Sequence, residues 1–123
     1  MGKSTPTALL CLVSAALMCA SPVRGETKAL TYEVKIVHGV ADVRLIRVTE
    51  GDAVHLRLSS DRRIILHLHG YDIEKTVEPG TVTDMSFIAR ATGRFPIEEH
   101  RPSAHGAPAH GEAPLVRIEV YPR

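Results

Sequence analysis

Two histidines one residue apart, His67 and His69, close an apolar run and precede a Gly70-Tyr71-Asp72 turn. On a strand, side chains two residues apart leave the same face, so these imidazoles should project together. A pair of neutral imidazoles is a start on a site for Cu(II), Zn(II), Ni(II) or iron. Seven histidines among 123 residues is a heavy load. His100 follows Glu98 and Glu99, and an internal echo, Ala104-His105-Gly106 and Ala109-His110-Gly111, supplies His105 and His110. Each feature also has a plainer reading. His67 can pack its ring on a sheet with one nitrogen hydrogen-bonded, Glu98 and Glu99 can form a solvated acidic edge, and residues 101–114 can be a flexible tip. His38, at a turn, and His55, between Val54 and Leu56, are read as non-functional. His69 and His100 are the favoured ligands, His69 because it ends its strand beside Gly70, where a side chain can face solvent.

The elements that must hold these residues are short strands. Period-2 alternation runs through Tyr32–Ile36, Val54–Leu58 and Ile64–His69, and apolar-rich segments cover Val43–Val48, Ile73–Val77, Val82–Ala89, Phe95–Glu99 and Val116–Val120. Turn residues separate them: His38-Gly39, Glu50-Gly51-Asp52, Ser59-Ser60-Asp61, Pro79-Gly80 and Thr92-Gly93. No segment carries a helical period. About seven or eight strands at this spacing predict an all-β Greek-key β-sandwich. Residues 101–114 are rich in Pro, Gly, Ala and His, and a structureless loop of that length in a small domain is often functional.

The N-terminus has a different character. Ala8–Ala20 is an uncharged run of 13 residues behind Lys3. That is short of the ~20 residues a membrane span needs, but it suits the apolar core of a cleavable signal peptide. Residues 1–25 are therefore read as a signal peptide, with cleavage after Ala20 or Gly25 and an uncleaved anchor as the alternative. Residues 26–123 form the mature domain, periplasmic or secreted and without a membrane span. Both cysteines, Cys11 and Cys19, lie in the leader, so the mature domain has neither a disulfide nor thiolate chemistry. Removing Lys3 and Arg24 leaves 13 basic against 14 acidic side chains. They are scattered, which argues against a nucleic-acid or anionic-membrane surface.

The order of motifs resembles the cupredoxins, the plastocyanin-like copper proteins, and among them the EfeO-type cupredoxin-like domains of bacterial exported proteins. The resemblance rests on Gly51-Asp52-Ala53-Val54 before a strand, a following strand ending in His, Pro79-Gly80, Ser86-Phe87-Ile88-Ala89, and Gly93-Arg94-Phe95 leading to a polar cluster. It covers roughly residues 30–121.

The resemblance implies a first histidine ligand at His67 or His69 and a later one at His100, His105 or His110. The family's cysteine lies six residues after the glycine of the Gly-x-aromatic strand, and that position is Glu99 here. No Met follows Met85 to serve as an axial thioether. Blue-copper electron transfer depends on a copper–thiolate bond, which a carboxylate cannot supply, so a blue-copper carrier is excluded. The remaining constellation is His67, His69, Glu99, His100, His105 and His110. It suits Cu(II) or another divalent ion, for buffering or delivery to a periplasmic protein partner. The alternative is a metal-free scaffold acting as an interaction module in an exported assembly. An enzyme is not expected, since about 100 residues leave little room for a substrate pocket and no Ser/His/Asp pattern is present.

Overall fold

A computed structural model describes Gly2, residues 27–101 and residues 113–123. Residues 1–25 apart from Gly2, the stretch read from the sequence as a signal peptide, and both His105 and His110, lie outside the described residues. The described chain is all β, with nine strands: β1 (Ala29–Val37), β2 (Val40–Ala41), β3 (Leu45–Thr49), β4 (Ala53–Ser60), β5 (Ile64–Leu68), β6 (Ile73–Val77), β7 (Thr83–Ile88), β8 (Gly93–Glu99) and β9 (Val116–Tyr121). The sequence predicts all of these except β2. That two-residue strand pairs back onto β1 through Val37↔Val40. His38 and Gly39 make the turn between them, with φ of 52° and 76°, the consecutive positive values a tight hairpin requires. Such a strand is too short to show a period. β1 also starts earlier than the alternation suggests, at Ala29, because the parallel ladder to β4 begins there with Ala29↔Ala53.

Two sheets form the sandwich, one ordered β2-β1-β4-β7 and the other β3-β9-β8-β5-β6. Both are mixed: β1 runs parallel to β4 and β3 parallel to β9, while the remaining pairs are antiparallel. Consecutive strands repeatedly switch sheets, as Greek-key connectivity requires. The alternation shows in which side chains are buried. Val54, Leu56 and Leu58 of β4, Leu66 and Leu68 of β5, Met85 of β7, Ile97 of β8 and Ile118 of β9 all fill the space between the sheets. The intervening residues face outward, which is how the hydrophobic period sets the direction of every candidate ligand.

The Gly51-Asp52 turn has its own physical cause. Asp52 is buried, and its carboxylate accepts the Thr49 N–H at 2.9 Å and an Arg123 guanidinium N–H at 2.7 Å. The Ala89 N–H donates to the Asp52 carbonyl at 2.9 Å, and the Gly51 N–H donates to the Ala89 carbonyl at 2.7 Å. A short acid at this position thus joins the β3–β4 turn, the end of β7 and the C-terminus.

Candidate metal centre

β5 lies between β6 and β8 in the five-stranded sheet. Its inward residues are Ile64, Leu66 and Leu68, so Ile65 and His67 face outward, and His69 continues that parity just past the strand end. The strand rise separates two such residues by about 6.6 Å. The rings lean together, with centroids 4.3 Å apart and planes tilted by 43°. In register, His67 faces Glu74 of β6 on one side and Glu98 of β8 on the other.

The outward face around this pair is a lattice of imidazoles and carboxylates. His67 Nε2 lies 3.3 Å from Asp72 Oδ1, and His69 Nε2 lies 3.1 Å from Glu98 Oε2. His100 Nδ1 is 3.7 Å from Glu74 Oε2. The side chain of His67 is 25% exposed and that of His69 is 44% exposed, so both can be reached from solvent. Among the described residues, however, no three His, Cys, Asp or Glu side chains converge on a point that could hold an ion.

The structure brings His67 and His69 together, but it does not bring His100 to them. The constellation expected from the sequence is therefore split, because the far ends of β5 and β8 lie at opposite poles. β5 and β8 are antiparallel: the His69 N–H donates to the Pro96 carbonyl at 3.0 Å, whereas the His100 N–H donates to the Ile65 carbonyl at 2.7 Å. His69 and His100 are therefore four residues apart along the strand direction, roughly 13 Å at the usual rise.

Glu99 is separated from the histidines in a different way. It pairs with Leu66 and shares the parity of the buried Ile97, so it points to the side of the sheet opposite His67. Its side chain is 9% exposed, and Arg62 grips it bidentately, with Nη1 donating to Oε1 and Nη2 to Oε2, both at 2.7 Å. Arg101 adds a contact at 3.4 Å. The hydrogen bonds from Arg62 hold the Glu99 carboxyl below the usual carboxylate range, against the opposing effect of burial and with help from Arg101.

Three participants were not on the candidate list: Glu98, Asp72 and Glu74 as the carboxylates facing the histidines. The parity of β8 carried the signal for Glu98. With Ile97 inward, Glu98 and His100 must share the outward face and Glu99 must not.

No protein-family model and no curated protein matches the chain. Solved structures share its architecture. The periplasmic domain of subunit II of cytochrome oxidase (CoxB) of Bradyrhizobium japonicum is 13% identical with a TM-score of 0.57, over 76% of this chain and 84% of that one. A copper binding protein solved in its apo form is 10% identical with a TM-score of 0.58, over 80% and 93%. A multi-copper oxidase from Pseudomonas thermotolerans is 20% identical with a TM-score of 0.58, over 80% of this chain and 31% of that one. The fold is therefore cupredoxin-like, and at these identities the likeness is one of fold.

A thiolate copper site at the position the resemblance marks does not fit these residues. Glu99 is a hard oxygen donor where the family has a cysteine, both of its oxygens are engaged by a guanidinium, and among the described residues there is no cysteine to replace it. The outward face offers a different donor set, two imidazole nitrogens with the Glu98 carboxylate alongside, which suits Cu(II) or Zn(II).

Proposed function

We propose that the chain is an exported cupredoxin-like domain that binds Cu(II) or another divalent ion on the outward face of its five-stranded sheet, as a buffering or delivery module and not as an electron carrier or an enzyme. The observation that carries this reading is the His67–His69 pair, its rings 4.3 Å apart on an accessible surface with the Glu98 carboxylate already at His69. His67, His69 and Glu98 would hold the ion after His67 turns from Asp72 toward the His69–Glu98 pair, since among the described residues no three donors converge as the side chains stand. The metal would supply a labile Lewis-acid centre.

The residues' own part is to present donors. β5, flanked on both sides, fixes where the two imidazoles stand, while the carboxylates orient the rings. A shallow site with few pre-set donors exchanges its ion readily, which suits transfer better than storage. Copper in the names of the structural neighbours, and the periplasmic placement of one of them, support the choice of ion and of compartment. Calorimetric titration of residues 26–123 with Cu(II) and Zn(II) tests the reading. One ion per chain, lost in the His67→Ala/His69→Ala variant, is expected, and equal affinity in the two proteins would refute it.

A second reading, a metal-free interaction module, draws on the charge layout of the same face. Arg47 and Arg94 contact Glu119 toward the β3–β9 side, with Arg117 on the same face of β9, whereas Asp72, Glu74 and Glu98 lie toward the β5–β6 side. A face divided in this way favours a partner of complementary polarity. Salt-sensitive capture of a protein by the metal-depleted domain, lost on Arg94→Glu, would favour this reading over the first.

A further inference from the structure

Arg62 sits in the β4–β5 turn, its N–H directed to Ser60 Oγ at 3.3 Å. The preceding residue, Asp61, accepts the His38 N–H at 2.9 Å, and a Cβ built on Gly39 would lie 3.8 Å from Arg62 Nη2. The β1–β2 turn, the β4–β5 turn and the end of β8 thus meet at this guanidinium. Its target, Glu99, stands where the resembled family places a metal-binding cysteine. The fork is complete, with two donors on two oxygens at 2.7 Å each, the geometry for which arginine is suited and lysine is not.

We infer that the Arg62–Glu99 pair closes this pole of the sandwich with the protein's own cation in place of a bound one, so that Glu99 is a structural acceptor and not a metal ligand. Three observations converge on this. Glu99 is on the inward side, with Leu66 beside it in register, on the face of the sheet opposite His67, His69 and His100. Both of its oxygens are occupied, so a metal would have to displace a guanidinium. A divalent ion bound there would also sit against the positive charge of Arg62 and Arg101, which like-charge repulsion opposes. The fold therefore keeps this end ordered without metal, and any ion the domain carries binds elsewhere.

The inference stands apart from the metal reading of the outward face. A double-mutant cycle with Arg62→Gln and Glu99→Gln in residues 26–123 tests it, read by urea unfolding and by Cu(II) titration. Each single change should raise the unfolding equilibrium constant roughly tenfold, and the double variant should be no worse than either single. Copper affinity should stay within about twofold of the unaltered domain in Glu99→Gln. Arg62→Lys, which keeps the charge and loses the fork, should fall between and remains informative if a neutral variant does not fold. Additive losses in the cycle, or a tenfold fall in copper affinity for Glu99→Gln with unfolding unchanged, would overturn the inference. If the unaltered domain binds no copper, the metal reading fails and the cycle alone decides this one.

Discussion

His67 and His69 share one face and one ring contact, 4.3 Å between centroids, yet their Nε2 atoms turn to carboxylates from different elements: Asp72 of the β5–β6 turn and Glu98 of β8. The two imidazoles are therefore neighbours with separate partners. An ion bridging them would draw on both, with His69 and Glu98 as the nearest pair of donors. His69→Ala should lower Cu(II) affinity roughly tenfold or more, and Glu98→Gln should lower it less. His55, on the other sheet and 3.1 Å from Asp84, serves as the control: His55→Ala should leave the titration unchanged.

Copper bound in this way should give only weak d–d absorption, with no intense thiolate charge-transfer band in the visible spectrum. The donors are nitrogen and oxygen, and the position that would carry the thiolate is Glu99, locked to Arg62 at 2.7 Å. A deep-blue holoprotein would contradict both the donor set and the cysteine-free reading of the mature chain. Glu99→Cys alone should not produce the band, because the new thiol would face away from His67 and His69.

The architecture was legible because alternation is strong where the sheets are buried. Val54, Leu56 and Leu58 on β4, and Leu66 and Leu68 on β5, declare both strand and face. What the alternation of single strands leaves open is which strands pair and in what direction. Nothing in the Phe95–His100 segment states that it runs antiparallel to β5, and that direction sends His69 and His100 to opposite ends. The face of Glu99 was legible in principle, since Ile97 fixes the parity of β8. The bidentate contact with Arg62 was not, because it joins two residues 37 positions apart through a loop whose path only the packed sandwich determines.

The lowered carboxyl of Glu99 makes an acid-stability prediction with a definite sign. A carboxylate that is more acidic in the folded than in the unfolded chain adds stability above the unfolded value of about 4.3, and that stability is lost as pH falls through the folded value. The domain should therefore weaken below about pH 4, and Glu99→Gln should flatten that part of the profile while being less stable at neutral pH. Arg62 is half-exposed, so solvent screening keeps the difference to about 1 kcal/mol. Urea midpoints measured between pH 2 and pH 7 check it, and parallel profiles for the two proteins would remove Glu99 from the account.

Gly70 ties the candidate site to the core. Its φ is 85°, and a Cβ added there would fall 2.6 Å from Phe95 Cδ1 and 2.9 Å from Cε1. Phe95 cannot withdraw freely, because Tyr71 packs on it edge-on at 4.9 Å and also contacts Phe87 at 4.7 Å. Gly70→Ala therefore carries two costs, the positive φ at about 1 kcal/mol and a steric overlap at about 1–3 kcal/mol. The turn that follows His69 must shift to relieve them. Urea unfolding should show a loss of about 2–4 kcal/mol, and Cu(II) affinity should fall as His69 is displaced from Glu98. Adding Phe95→Leu should restore part of the stability by vacating the ring position, but not the part owed to φ. Full recovery in the double variant would mean that the backbone conformation at Gly70 costs nothing, and that the overlap with Phe95 alone demands glycine beside the histidine pair.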